Sequence, residues 1–412
     1  AALKASRRQR PNRTRSTEAP KHEQMDYYTS ITSNYLPKAR VLAASVKRHD
    51  PQARFHLLLS DVPPPGFTLA AEPFDTVLGL EALPIPNPRA WAFGPALVEM
   101  CTAVKGIGAL EIVRRHRPEK LFYFDPDIVV FGGLQTLGAE LDRHSVLLTP
   151  HLTDPERHRA GILDNEISAL KHGVYNLGFI GLRCEGEGLR CLQWWSDRLL
   201  EFCRDDIPNG LFTDQRWADL IPAMFDGVRV LREPEYNVAT WNLSNRVATG
   251  SAPDALRIND RPLAFYRCSG FDSGAQEAML KAYGSESPVL FQLRQWYIEQ
   301  CRINGQDTLG RHPCVYARFD NGEPIGKMQR ILYRERADLR EAFPDPFATS
   351  DPARSYFHWF RANSAAEIEA GRVPPEAFDH RMAAAERELA LIKRSRSWRL
   401  ARAIAKVANA FR

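Results

Sequence analysis

The chain has 412 residues, 44% of them hydrophobic and 25% charged, which is the balance of a folded globular protein and excludes a disordered or fibrous one. Its apolar runs, such as residues 128–131 and 57–59, fall far short of the roughly 18 residues that a spanning helix requires. The net charge of +5 is unevenly placed: residues 1–21 carry +6, residues 381–412 carry +7, and the body between them is acidic at −8, so an anionic partner is expected at the ends and no nucleic acid along the body.

Residues 1–24 are polar, basic and without hydrophobic periodicity, and read as a disordered arm. No apolar stretch follows the arginines, so they do not read as a secretory signal peptide, and the chain starts without Met, which suggests numbering from within a longer protein. Organised sequence begins near Met25. A short strand is expected over 27–32, a helix over 39–48 and a second strand over 54–59, closed by the loop that Pro63, Pro64, Pro65 and Gly66 impose. Residues 99–116 have helical apolar spacing, and 121–131 read as one strand with an acidic interruption. Further buried strands are expected at 145–149 and 179–182, with helices over 189–203 and 214–225. Alternating strands and helices predict an α/β domain with a mostly parallel sheet over 25–275. An accessory helical region follows over 276–375, with helices at 276–283 and 289–301 and a proline-broken connection at 343–352. Pro374 and Pro375 mark a hinge before a basic amphipathic helix over 376–412. The seven cysteines show no C-x-x-C pair or metal-ligand spacing, and read as reduced structural thiols of a cytoplasmic protein.

The most informative segment is 121–131, where Asp125 and Asp127 interrupt an otherwise apolar strand. Side chains two apart on an extended chain point to one side, so the two carboxylates are expected to converge, with Pro126 facing away. Such proximity is costly without a cation, and a hard divalent ion, Mg²⁺ or Mn²⁺, bound together with substrate phosphates relieves it. A pair of solvated acids at a strand end is the competing account. Asn176, Gly178 and Gly181 open a strand to close approach of a ligand; Asp214 and Gln215 stand at a helix start; Asn237, Trp241 and Asn242 mix amides with aromatic faces, as a sugar pocket does. A helix cap for Asp214, turn positions for Asn176 and Asn237, and core positions for Trp217 and Trp241 account for the same residues structurally.

In order along the chain, Ser33-Asn34-Tyr35-Leu36-Pro37, Tyr123-Phe-Asp125-Pro-Asp127, Thr149-Pro-His151-Leu152, Tyr175-Asn-Leu-Gly-Phe-Ile-Gly181, Asp214-Gln-Arg-Trp217, Asn237-Val-Ala-Thr-Trp-Asn242 and Ser269-Gly-Phe271 resemble bacterial glycosyltransferases of the GT-A fold, close to glycosyltransferase family 8 and its polysaccharide-cluster relatives. The resemblance covers residues 27–272. It implies a Rossmann-like nucleotide-sugar transferase domain that moves a sugar from a nucleotide-diphosphate donor to a glycan or lipid-linked acceptor in surface-glycan synthesis, with retention of configuration. It further implies that Asp125 and Asp127 grip the metal, that Thr32, Ser33, Asn34 and Tyr35 hold base and ribose, that Lys105 is a basic residue near the donor, and that Asn176, with Gly178 and Asn237, serves the donor sugar. Asp214 and Gln215 would lie by the anomeric carbon, Gln215 opposite the leaving group and Asp214 the rival general base. Relatives place a His, a third metal ligand, where this chain has Arg267. A guanidinium cannot ligate a metal but pairs with diphosphate oxygens, which implies weaker metal binding than in relatives.

From Glu386 onward, Leu389, Ile392, Leu400, Ile404, Val407 and Phe411 keep near-helical spacing among arginines, as an interfacial helix on the inner, anionic membrane face does; a helix docked on the body is the alternative. The rival to an enzyme is a non-catalytic nucleotide-sugar-binding scaffold of the same fold.

Overall fold

The computed structural model describes residues 25–373. The basic arm and the basic terminal helix expected from the sequence lie outside the described residues.

A seven-stranded sheet forms the centre. Its strands include β1 (Met25–Ile31), β2 (Arg54–Leu59), β3 (Thr76–Gly79) and β4 (Lys120–Phe124), and the short β5 (Ile128–Val130) lies apart from it. β6 (Val146–Pro150), β7 (Tyr175–Arg183) and Val228–Val230 complete it, in the spatial order β3-β2-β1-β4-β7-β6 followed by Val228–Val230. Only β7 runs against the rest. This is the α/β, Rossmann-like arrangement expected from the sequence.

Both faces of the sheet are covered, and the strands read apolar throughout because alternate residues enter different cores. Tyr27, Phe55, Leu57, Phe122 and Phe124 join the core beneath helix α1 (Leu36–His49). Tyr28, Leu58, Leu121 and Tyr123 join the opposite one, with Trp195 and Leu199 of the Gly186–Phe202 helix. Between α1 and the next long helix lies α2 (Pro88–Phe93). Helix α3 (Leu97–His116) packs close because it is glycine-notched: a Cβ on Gly106 would sit 2.5 Å from Ser196 Cα, and one on Gly108 2.3 Å from Leu58 Cδ1.

Two sequence expectations are corrected here. Residues 121–131 form two strands, β4 and β5, joined by a turn at Asp125-Pro126-Asp127 in which Ile128 N–H donates to the Asp125 carbonyl at 3.0 Å. β5 leaves the main sheet and pairs antiparallel with Phe265–Arg267. Residues 214–225 form two short helices, Gln215–Ala218 and Ile221–Met224, because Pro222 has no N–H to continue the first and suits the first turn of the second.

The sequence reading contained neither the small antiparallel sheet of Ala248–Ser251, Ala255–Ile258 and Arg261–Pro262 nor the helices Lys327–Glu335 and Tyr356–Glu369. The C-terminal region is not an appendage. Tyr316, Phe319, Tyr333, Phe347 and Tyr356 share one core with Leu80, Phe93, Met100 and Val104. Among the described residues no helix is long and apolar enough to cross a membrane.

Candidate active site

The order β3-β2-β1-β4 places the reversal of winding between β1 and β4, and in open α/β sheets the crevice beyond the carboxyl ends of the strands at such a point is the natural ligand site. Thr32 follows β1 and Asp125 follows β4. A cavity of about 600 Å³ opens there, lined among others by Thr32, Asn34, Tyr35, Lys105, Asp125 and Asp127, and by Asp214, Gln215 and Arg267 beyond them. A second cavity of about 390 Å³ adjoins it and is lined by Asn176, His151, His172, Trp241 and Asn165. Gln215, Arg267 and Phe212 line both, so they stand at the junction.

Lys105 projects from α3 into a buried ion cluster. Its Nζ donates to Asp214 Oδ2 at 2.8 Å, to Asp125 Oδ1 at 3.2 Å and to the Leu177 carbonyl at 3.2 Å. Burial opposes its charge, but the two carboxylates hold its pKa above the ordinary lysine value. Burial likewise works against the Asp125 carboxylate, yet Lys105 and Arg267 bring it below the usual range. At Asp214 burial outweighs Lys105, and the carboxyl is raised.

Asp125 and Asp127 do converge, through the turn and not through the pleat. The Gly178 carbonyl accepts from Asp125 N–H at 2.7 Å, and the Asp127 carbonyl accepts from Cys268 N–H at 2.8 Å. What they converge on is Arg267. Its Nη2 meets Asp125 Oδ2 at 2.5 Å, its Nε lies 3.4 Å from Asp127 Oδ1, its Nη1 donates to Asn176 Oδ1 at 2.8 Å and its Nε to Ser269 Oγ at 2.9 Å. Tyr123 Oη donates to Asp125 Oδ1 at 2.6 Å and Ser269 Oγ to Asp127 Oδ2 at 2.6 Å.

These contacts bear on the metal expectation. A divalent ion at Asp125 and Asp127 needs free carboxylate oxygens and further ligands. Both oxygens of Asp125 are taken by donors, only Asp127 Oδ1 is buried without a hydrogen-bond partner, and the neighbouring position is a guanidinium. No group of three His, Cys, Asp or Glu among the described residues could hold an ion. As arranged, the donor set does not fit Mn²⁺ or Mg²⁺.

Asn176 is a support for Arg267. Its Oδ1 also accepts from Gly178 N–H at 3.1 Å, and its Nδ2 faces His151 Nε2 at 3.0 Å. His151 Nδ1 lies 3.3 Å from the Val174 carbonyl, an acceptor, which assigns the proton to Nδ1 and leaves Nε2 to accept. Burial, and then Arg267, lower this histidine to about 4. Gly178 does not line either cavity. Its role is steric, since a Cβ there would lie 2.4 Å from Arg267 Nη1 and 2.7 Å from Asn176 Oδ1.

The Gln215 amide is fixed by backbone: Oε1 accepts from Leu177 N–H at 3.3 Å and Nε2 donates to the His172 carbonyl at 3.3 Å. Two expected binding residues are elsewhere. Ser33 is fully buried, its N–H on Asp61 Oδ2 at 3.1 Å and its Oγ on the Val62 carbonyl at 2.7 Å, and it shapes the loop behind Thr32. Asn237 is buried with φ of 52°, its Nδ2 on the Pro150 carbonyl at 3.3 Å, and it lines neither cavity.

Sequence reasoning missed one wall entirely. His312, Pro313, Cys314 and Ala317 line the larger cavity, and Val315 N–H donates to Asp61 Oδ1 at 3.1 Å, tying that segment to the loop after β2. No local pattern in 312–317 signals this. All seven cysteines are free. Cys101 and Cys314 reach the cavity, but burial raises both thiols, Cys314 to about 12, so neither supplies a ready thiolate.

No protein-family model matches the chain. Two uncharacterized proteins of Bacillus subtilis strain 168 are similar: YfnF, 28% identical over 178 residues, and YfnD, 27% identical over 176. Each match takes in 42% of this chain, and 57% and 54% of the two relatives, so the chain spans about half the length of the curated relatives it matches. Among solved structures, similarity is found to galactosyltransferase LgtC in complex with donor and acceptor sugar analogues, at 15% identity over 64% of this chain and 96% of that one, with a TM-score of 0.34. The glycosyltransferase GlyE of Streptococcus pneumoniae TIGR4 is similar at 15% identity over 72% of this chain and 66% of that one, with a TM-score of 0.36. Likenesses this distant carry no argument about chemistry.

Proposed function

We propose that the protein is a glycosyltransferase that moves a sugar from a nucleotide-diphosphate donor to an acceptor hydroxyl. The observation that carries this reading is the junction itself: a buried cluster of Lys105, Asp125, Asp127, Asp214 and Arg267 at the winding reversal, between a cavity large enough for a nucleotide and a smaller, amide- and aromatic-lined one. The nucleoside occupies the larger cavity near Thr32, Asn34 and Tyr35, the diphosphate meets the cations, and the sugar enters the smaller cavity toward Asn176 and Trp241.

Fixed amides are weak nucleophiles, so Gln215 is suited to orient the sugar and not to attack it. The bond between the anomeric carbon and the phosphate oxygen breaks with its electron pair going to the diphosphate. An oxocarbenium-like centre, the kind known from glycoside hydrolysis, forms and is captured by the acceptor oxygen on the same face, which retains configuration. The acceptor's proton passes to the departing phosphate oxygen. Asp214, bound to Lys105 and to Thr213 Oγ1, positions Lys105 and is not a free base.

The test is release of nucleoside diphosphate from a panel of nucleotide sugars with simple glycan acceptors. One donor is expected to turn over, and Asp125→Asn to lower kcat at least roughly 100-fold, since it removes the one carboxylate charge that Lys105 and Arg267 share. Tight donor binding with no release from any donor would instead make the chain a nucleotide-sugar-binding scaffold.

A further inference from the structure

Resting on the donor reading above, we infer that Arg267 is the resident cation of this site and does the charge neutralisation for which Asp125 and Asp127 would otherwise recruit a divalent metal. Three independent features hold it there. The Phe265–Arg267 strand pairs antiparallel with β5, with Arg267 opposite Ile128, so the residue emerges beside the Asp125-Pro126-Asp127 turn. Gly178 leaves the space the guanidinium occupies, where any Cβ would collide. Asn176 is pre-oriented by His151 to accept from Nη1, and the indole of Trp241 lies 5.8 Å from the guanidinium carbon.

A guanidinium presents five N–H donors, and Ser269, Asn176 and Asp125 engage three. The other two are available to the oxygens of a diphosphate. Arg267 borders both cavities, which is where the bond to the leaving phosphate would break. As negative charge gathers on that oxygen, a fixed guanidinium and Lys105 stabilise it without reorganisation. An ion entering between the two aspartates would have to displace a partly buried side chain from four polar contacts.

Two titrations on the full chain test this. In the first, Mn²⁺ alone is followed by its paramagnetic resonance. The wild type is expected to leave the free-ion signal unchanged, with and without UDP, whereas Arg267→His, which frees one oxygen of each carboxylate and adds an imidazole, is expected to take up one ion. Stoichiometric uptake of Mn²⁺ by the wild type would overturn the inference. In the second, UDP, GDP, CDP and dTDP are titrated by calorimetry with excess chelator and with Mn²⁺. One of them is expected to bind with affinities within about twofold in the two buffers, and Arg267→Ala to weaken it roughly tenfold or more while Arg267→Lys retains part of the loss. Binding that appears only with Mn²⁺ would also overturn it. Absence of binding by every nucleotide in both buffers would strike the donor reading alone, and the Mn²⁺ titration would still decide what occupies the cation's place.

Discussion

His151 is neutral at ordinary pH and holds Asn176 in the orientation that accepts from Arg267. The depressed pKa links that arrangement to stability. As pH falls below 6.5 the unfolded chain takes up a proton at His151, while the folded chain resists until about 4, so the stabilisation is full above 6.5 and is lost between 6.5 and 4. For this half-buried ring the loss is about 1–2 kcal/mol. Denaturant melts from pH 7 to 4 measure it, and His151→Gln is expected to flatten the slope in that window. Gly178→Ala belongs to the same scale. Its methyl would press Arg267 off Asn176, and we expect a loss of about 1–3 kcal/mol in stability, with a larger loss of nucleotide affinity than Thr32→Ala causes. Arg267 was visible in the sequence as a departure from a pattern, and its positive charge as a clue to phosphate. That it would first satisfy the chain's own aspartates was not visible, because the contact joins residues 142 apart in sequence.

At the level of elements, apolar runs and their punctuation marked β1, β2, α3 and β6 to within a few residues, since buried strands of a doubly covered sheet are apolar on both faces. The convergence of Asp125 and Asp127 was legible too, though for a different geometric reason. Asp-Pro-Asp is turn chemistry, and reading it as pleat overlooked proline's missing N–H. Ser33 and Asn237 are buried outside the cavity linings, since short polar side chains serve loops as readily as ligands and the sequence alone does not tell the two apart. The close seat of α3 gives a prediction. Gly106→Ala is expected to push α3 away from Ser196, to cost about 1–3 kcal/mol in denaturant unfolding, and to weaken Lys105's grip on both Asp125 and Asp214, because Lys105 is the adjacent residue on the same helix.

Across the whole molecule, the aromatic core around Phe93 joins the start of α3 to the C-terminal region. The Phe93 ring lies 5.0–5.7 Å from those of Phe347, Tyr333, Tyr356 and Phe319. Phe93→Ala is expected to lower stability by about 3–5 kcal/mol, read by thermal or denaturant melting. The charge at the ends carries a separate proposal, that residues 381–412 bring the protein to an anionic lipid surface where a lipid-linked acceptor resides. Co-sedimentation with vesicles containing acidic lipid is expected to fall at least roughly tenfold when those residues are removed, and equal binding would rule that surface out.

The segment from His312 to Ala317 gives the Thr32 end of the cleft a wall drawn from far along the chain, clipped to Asp61 and anchored in the aromatic core around Phe93. Selection therefore has two separate handles. On the donor reading, drift in that remote strap would retune which nucleobase is welcomed, while the ionic knot at the junction stays as it is.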